Sequence, residues 1–162
     1  MTREAFKALF DAHFEEIRIH LYYRSGDESL ATDIAQDCFM KVWDRKMDLE
    51  PGKDRPLLYK MAGDLVKSHF RREKRGAEIR QTLHFEYTSG SSEEDLEYKE
   101  LQQAYERALS NLPEKQRVVF LMSRTEELSY LEIADRLSLS IKAVEKRMSG
   151  ALSRLRKELK HP

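Results

Sequence analysis

The chain has 162 residues, of which 36% are charged and 40% hydrophobic, and it contains only 6 Gly and 4 Pro. This length suits one ordinary domain or two small ones, and the low glycine and proline content favours helices over a turn-rich β fold. No apolar run approaches the ~18 residues of a membrane span, and the N-terminal segment lacks the apolar core of a secretory signal. One cysteine cannot form an internal disulfide. We therefore expect an all-α, cytoplasmic protein without membrane insertion.

Charge is balanced overall, with 29 basic and 29 acidic residues, but it is distributed unevenly. Residues 60–75 contain six basic and two acidic side chains, a net charge of +4, and residues 140–160 contain seven and two, a net charge of +5. Residues 76–99 contain two basic and six acidic side chains, a net charge of −4. Basic helix ends are common on soluble proteins, but two basic segments separated by an acidic one suggest two surfaces that face phosphates.

Apolar spacing predicts three helices in the N-terminal half. In the first, apolar side chains recur every three or four residues from Phe6 to Leu21, and Gly26 marks the end. The second helix has a wide apolar face that includes Cys38, Phe39 and Trp43. The side chains predicted to share its opposite face are Asp33, Gln36, Asp37, Met40 and Asp44. A loop over residues 47–56 is predicted to precede a third helix at about residues 57–75.

Residues 76–95 are polar and acidic and have no clear period, as in the stretch TSGSSEED. This composition predicts a flexible linker, so the predicted domains are residues 1–75 and 96–162. Leu83, Phe85 and Tyr87 are not typical of a spacer. They could form a short strand, or they could be apolar points that dock on a partner.

The second domain is predicted to begin with a helix near Leu96, followed by another that Pro113 opens. The apolar stripe predicted for the first of these is Leu101, Tyr105, Ala108 and Leu112. Ser129 and Glu132 then form a capping-box pattern ahead of a short helix, YLEIADRL. Ser140 is placed as the N-cap of a longer helix that runs to about Leu159.

This short helix, tight turn and longer helix predict a helix-turn-helix. In such a motif the second helix lies in the major groove, and its N-terminal residues contact base edges. Lys142, Lys146, Ser149 and Ser153 share the face opposite the apolar back of that helix. An ordinary helical hairpin with a solvated face is the alternative, and the capping box, the turn and the small Ala134 favour the helix-turn-helix.

Catalytic chemistry has little support in the sequence. The five histidines share no ligand spacing with one another or with Cys38, which lies on an apolar stripe and is expected to be a core thiol. A glycine-rich phosphate loop and a nucleophile motif are also missing from the sequence. We expect no metal, no cofactor and no enzymatic activity.

Three stretches resemble the sigma-70 family of RNA polymerase sigma factors. SLATDIAQDCFMKVWDR is similar to the polymerase-binding part of conserved region 2, and LLYKMAGDLVKSHFRREKR is similar to the promoter-melting helix that follows it. The stretch from NLPEKQRVVF to LRKEL is similar to region 4, which binds the minus-thirty-five element. Nearly the whole chain is covered, and its length resembles that of the extracytoplasmic-function (ECF) group, which keeps only these two domains.

The resemblance implies a function at named positions. The polymerase-binding motif corresponds to Asp33, Gln36, Asp37, Lys41 and Trp43, although Trp43 could serve mainly in the core. The residues implied on the minus-ten side are Lys46, Lys60, Lys67, Arg71 and Arg72. The positions implied for the minus-thirty-five element are Lys142, Ala143, Glu145, Lys146 and Arg147, and Ser149 lies on the same helix.

These observations predict a sigma factor that joins core RNA polymerase, through its clamp helices, to promoter DNA. The resemblance further implies a chain that is monomeric when free and that is held by an anti-sigma factor. A stand-alone helix-turn-helix regulator, with an N-terminal domain for dimerisation or sensing, would explain the second domain equally well. It would leave the first basic segment and the polar stripe of the second helix unexplained. An all-α interaction protein without a DNA role would leave both basic segments and the helix-turn-helix unused.

Overall fold

The computed structural model describes residues 1–50, 52–76 and 96–160, and the side chains of residues 75 and 76 are not among those described. Within these ranges the chain forms helices and no strand, which confirms the all-α prediction. The helices are α1 (Arg3–Ser25), α2 (Glu28–Asp44), α3 (Asp54–Gly76), α4 (Leu96–Asn111), α5 (Glu114–Arg124), α6 (Tyr130–Leu137) and α7 (Ile141–Lys160). The chain divides into two compact units, one centred on α1, α2 and α3 and the other on α4, α5 and α7.

In the first unit each of the three helices packs against the other two, and α1 and α2 share the most extensive contact. The helices are amphipathic, so their apolar stripes meet in one core. The fully buried members of that core include Ile17, Leu21, Ala31, Ala35, Cys38, Phe39, Val42, Leu58, Ala62 and Val66. An aromatic group at one end joins α1 to α2, with the Phe10 ring 5.3 Å from Phe39 and the Phe6 ring 5.1 Å from Trp43.

The turn between α1 and α2 contains two residues with opposite roles. Gly26 has φ 70°, a left-handed conformation that glycine adopts without steric cost, and its N–H donates to the carbonyl of Tyr22 to end α1. Asp27 then caps α2, because its carboxylate accepts from the N–H of Leu30 at 3.1 Å. The end predicted at Gly26 is confirmed.

The start of α3 differs from the prediction, which placed it near Leu57. The helix begins at Asp54, and the N–H of Leu57 already donates to the carbonyl of Lys53. Pro56 therefore lies in the first helical turn, where its missing N–H has no partner to lose. The predicted loop over residues 47–56 is correspondingly shorter.

In the second unit α7 packs against both α5 and α4. The buried core draws on all four helices of this half of the chain. Its members include Ala108, Leu109, Leu112, Val118, Val119, Met122, Ile133, Ala134, Val144, Met148, Ala151 and Leu155. Leu101, predicted to lie on the inner stripe of α4, is instead 63% exposed. The buried part of α4 begins at Ala108, two helical turns after Leu101.

The predicted linker over residues 76–95, including the apolar stretch Leu83–Tyr87, lies outside the described residues except for Gly76, the last residue of α3. The domain boundaries drawn from it stay predictions. No helix within residues 1–50, 52–76 or 96–160 is long and apolar enough to cross a membrane.

Candidate polymerase and nucleic-acid surfaces

The face of α2 that points away from the core is polar and exposed. Asp33, Gln36, Asp37 and Lys41 are all exposed there, and Met40 lies among them with 58% of its surface accessible. Their spacing of three and four residues places these side chains next to one another on the helix. We call this set of five side chains the α2 surface.

Trp43 borders the α2 surface and has a mixed environment. Its ring contacts Phe6 edge to face, yet 40% of the side chain is exposed. Phe39, by comparison, is 1% exposed and belongs wholly to the core. Trp43 thus combines a packing contact with an accessible aromatic face, an arrangement common at protein interfaces.

Three basic side chains line one exposed face of α3. Lys60, Lys67 and Arg71 are seven and four residues apart, which brings them into one stripe on a helix of 3.6 residues per turn. We call them the α3 surface. Arg72 is also exposed, but it lies about 100° around the helix from Arg71 and therefore outside this stripe. Asp64 lies within the same face as the three cations.

Lys46 precedes α3 in the loop that follows α2. It is exposed and has φ 50°, a left-handed conformation that is uncommon for a residue with a side chain. Its N–H donates to the carbonyl of Trp43 at 3.0 Å. The loop thus turns sharply at Lys46.

The helix-turn-helix has the predicted local structure. The Ser129 hydroxyl accepts from the N–H of Glu132 at 3.1 Å, and the Glu132 carboxylate accepts from the N–H of Ser129 at 3.2 Å, which completes the capping box. The N–H of Leu139 donates to the carbonyl of Ala134 and closes the turn. The Ser140 hydroxyl accepts from the N–H of Ala143 at 3.1 Å and caps α7.

The exposed face of α7 carries the predicted side chains. Lys142, Lys146, Ser149 and Ser153 form one exposed stripe, which we call the α7 surface, opposite buried Val144. Glu145 is exposed at one margin of this stripe. Ala143 and Arg147 are partly buried and lie at the other margin.

Two buried side chains of the first unit, His20 and Cys38, have shifted pKa values. Burial lowers the pKa of His20 from 6.5 to about 3, and the charge of Arg24 lowers it further. The His20 ring lies edge-on to Tyr59 with centroids 4.8 Å apart. Burial also raises the pKa of the Cys38 thiol to about 11, so Cys38 is a core residue as predicted. Among the described residues, no three His, Cys, Asp or Glu side chains lie close enough together to hold a metal ion.

Comparison with known proteins places both halves of the chain in one family. The model for sigma-70 region 2 matches residues 9–76, and the model for sigma-70 region 4 matches residues 102–155. The ferric citrate uptake sigma factor FecI of Escherichia coli is 31% identical over 150 residues, covering 91% of this chain and 86% of FecI. The chain belongs to the sigma-70 family. A further relative of this sigma factor is the ECF RNA polymerase sigma factor SigW of Bacillus subtilis, 27% identical over 98% of this chain and 90% of SigW.

A solved structure shares the fold of this sigma factor. The sigma factor RpoE of Bartonella quintana, crystallised in complex with the anti-sigma factor NepR, matches with a TM-score of 0.66, 23% identity and 98% coverage of both chains. The similarity to SigW, which is an ECF sigma factor, confirms the resemblance to the ECF group. The protein is a promoter-directing sigma factor, and the alternative of a stand-alone helix-turn-helix regulator is not favoured.

Proposed function

We propose that the three surfaces divide the work of promoter recognition between the two halves of the chain. The α2 surface binds the clamp helices of core RNA polymerase. The α3 surface, with Lys46 and Arg72, binds the minus-ten element as it melts, and the α7 surface binds the minus-thirty-five element as a duplex. The observation that carries this proposal is that a helix with an exposed basic face lies in each of the two matched regions. In this scheme the linker at residues 76–95 sets the spacing between domains 1–75 and 96–162.

The chemistry of α7 suits a major groove. Lys142 and Lys146 can donate to the O6 and N7 acceptors of guanine, and Glu145 can accept from cytosine N4. Ala143 offers a methyl group to a thymine methyl, and Arg147 suits a backbone phosphate. Ser149 has a short side chain, so the helix can approach the bases closely at its position.

The chemistry of the α3 surface suits a single strand. Three cations in line on one helix match successive phosphates, which supply most of the affinity for unpaired DNA. The sharp turn at Lys46 lies in the loop just before α3, where the family captures a flipped base. Extruding a base costs a few kcal/mol, and phosphate contacts on both sides of it offset that cost.

The α2 surface combines charge with apolar area. Asp33, Asp37 and Lys41 provide ion pairs at the rim of an interface, where charges steer association. Met40 is a flexible apolar side chain, and exposed Trp43 is the kind of aromatic residue that often dominates binding energy. We therefore expect the side chains of Met40 and Trp43 to become buried when the polymerase binds.

Transcription by purified core polymerase on a library of promoter fragments tests the proposal. Start sites should appear only when the protein is present. Asp37→Arg should abolish co-migration with core polymerase. Asp11→Arg makes the same charge change at an exposed position of α1 and should leave co-migration intact. If Asp37→Arg bound core polymerase as tightly as the unmodified chain, the role given to the α2 surface would be wrong.

A second pair of variants tests the DNA surfaces in the same assay. Lys146→Gln should reduce transcription from promoters that depend on the minus-thirty-five element by about tenfold, because the loss of one bidentate base contact has an effect of this size. Lys115→Gln, at an exposed position on α5, should leave it unchanged. If the two variants were equally active, the proposed contact of Lys146 with DNA would be wrong.

The same proposal includes the state of the protein before it binds the polymerase. Because the solved structural neighbour is crystallised with the anti-sigma factor NepR, we propose that an anti-sigma factor holds this chain too. We propose a cytoplasmic monomer that acts by binding and carries out no reaction itself. Light scattering of the purified chain should give the mass of one copy, and a dimer would contradict this.

A further inference from the structure

Ile141 is an exposed apolar side chain at the start of α7. It is the first residue of that helix and is 43% exposed, whereas Val144, the next member of the same apolar stripe, is 0% exposed. Because the Cα–Cβ bonds of a helix tilt toward its N-terminus, the Ile141 side chain points to the end of α7, where no earlier turn covers it. An apolar group therefore lies at the end that a helix-turn-helix presents to base edges.

Ile141 lies on the same margin of the α7 surface as Glu145. The two residues are four positions apart, so their side chains are neighbours on the helix, and both are exposed. Lys142 follows Ile141 directly and belongs to the α7 surface. The first turn that carries these residues is held by the Ser140 hydroxyl, which accepts from the N–H of Ala143 at 3.1 Å. Ile141 is thus held beside two side chains proposed to contact bases.

An aliphatic side chain can distinguish one feature of the major groove. The base pairs present donors and acceptors there, and thymine also presents an apolar group, its C5-methyl. Contact with that methyl removes apolar area of both partners from water, which is favourable. Contact of Ile141 with a polar base edge would instead desolvate a donor or acceptor without a hydrogen bond, which is unfavourable. Both effects favour thymine.

We propose that Ile141 is a specificity-determining residue of this sigma factor and contacts the C5-methyl group of a thymine in the minus-thirty-five element, next to the base that Glu145 contacts. The inference rests on the proposed role of the α7 surface in binding that element. Ala143 also offers a methyl group, but it is partly buried at the opposite margin of the surface. The two residues therefore contact thymines at different positions of the element.

Deoxyuridine, which is thymidine without the C5-methyl group, tests the proposal. The probes are a promoter obtained from the fragment library and derivatives in which each thymine of its minus-thirty-five element, on either strand, is replaced singly by deoxyuridine. Transcription is measured with core polymerase and the full chain at DNA concentrations below saturation. At one thymine the replacement should reduce transcription about fourfold, the effect of burying one methyl group. Ile141→Ala should lower transcription from the original promoter and show no further loss at that thymine.

Leu159→Ala is the matched control. Leu159 lies on the same side of α7 at its other end and is 41% exposed, so this variant should keep the fourfold effect. Ile141→Val retains both branches at Cβ and should keep it too. The inference is overturned if Ile141→Ala still loses about fourfold at every thymine that affects the original chain. It is also overturned if the element contains no thymine, or if no thymine methyl affects the original chain.

Lys146→Gln separates this inference from the role of the α7 surface. It should lower transcription from both forms of the promoter and keep the fourfold difference between them. If Lys146→Gln lowers transcription while Ile141→Ala leaves the methyl effect intact, only the inference about Ile141 fails. If neither variant changes transcription, both fail. Alanine is a better helix former than isoleucine, so Ile141→Ala should keep its helical circular dichroism. The deoxyuridine probes also test the original chain without any substitution.

Discussion

Acidification should destabilise the unit centred on α1, α2 and α3 through His20. Burial, helped by the charge of Arg24, lowers the pKa of this histidine from 6.5 to about 3. As the pH falls through 6.5, the unfolded chain takes up a proton at His20 and the folded chain does not. The unfolded state therefore gains stability relative to the folded state at lower pH, and it does so until the pH reaches the folded pKa.

The magnitude follows from the two pKa values. Between pH 6.5 and 3 each unit of pH costs about 1.4 kcal/mol of unfolding free energy. From pH 7.5 to 5 the unfolding free energy falls by about 2 kcal/mol in total. This decrease depends only on the pKa of His20 in the unfolded chain, because pH 5 is well above the pKa in the folded chain. A loss of this size is a large part of the stability of a small domain.

Urea unfolding followed by tryptophan fluorescence measures this loss. The chain contains one tryptophan, Trp43, and it lies in α2 of the unit that contains His20. His20→Phe keeps a ring against Tyr59 and removes the titrating group. Between pH 7.5 and 5 the unfolding free energy of this variant should therefore fall by about 2 kcal/mol less than that of the original chain. His69→Gln, at a partly exposed histidine of α3, should behave like the original chain. Equal losses for His20→Phe and the original chain would refute a neutral buried His20.

Three further predictions concern single side chains. Cys38 should react with iodoacetamide only when the domain unfolds, because the buried thiol has a pKa of about 11; mass spectrometry of the native chain should find it unmodified. Phe39→Ala should cost about 3–5 kcal/mol in the same urea assay, whereas Met40→Ala at the neighbouring exposed position should cost less than about 0.5 kcal/mol. Ser140→Ala removes the cap of α7 and should lower the stability of the second unit by about 1 kcal/mol by calorimetry, and Ser153→Ala on the exposed face should not.

The helix-turn-helix could be predicted closely because its signals are local. Ser129 and Glu132 bond to each other's backbone across three residues, and Ser140 bonds to the N–H of Ala143. Such bonds depend on the order of residues in the chain and not on tertiary packing. The bounds of α6 and the start of α7 were therefore within reach of the sequence alone.

The burial of a side chain and the point where a helix begins depend also on the elements packed around that helix. Sequence periodicity does not report which elements these are. The spacing of Leu101 predicts a buried position on α4, and that prediction is wrong because periodicity does not say how far along α4 the residues packed against it extend. The sequence predicts a loop up to Pro56, because proline breaks the interior of a helix, whereas Pro56 lies in the first turn of α3. Exposure of Asp33 and Asp37 was predicted correctly, while their role in binding polymerase stays a prediction.

The close approach of the Arg24 guanidinium to Gly63 could not be predicted for the same reason. Arg24 and Gly63 are 39 positions apart in the sequence, and no local pattern connects them. The one signal available was a glycine within a helical pattern, which often marks a close approach by another group.

The two-residue turn at Gly26 and Asp27 has a consequence for how the domain forms during synthesis. It joins the two helices with the most extensive contact in their unit, so the chain closes a very short loop before that contact forms. Contacts between residues near in sequence form early, because little chain entropy is lost. We expect the hairpin of α1 and α2 to assemble as a folding nucleus while α3 is still emerging from the ribosome, and Gly26→Val to slow folding more than it speeds unfolding.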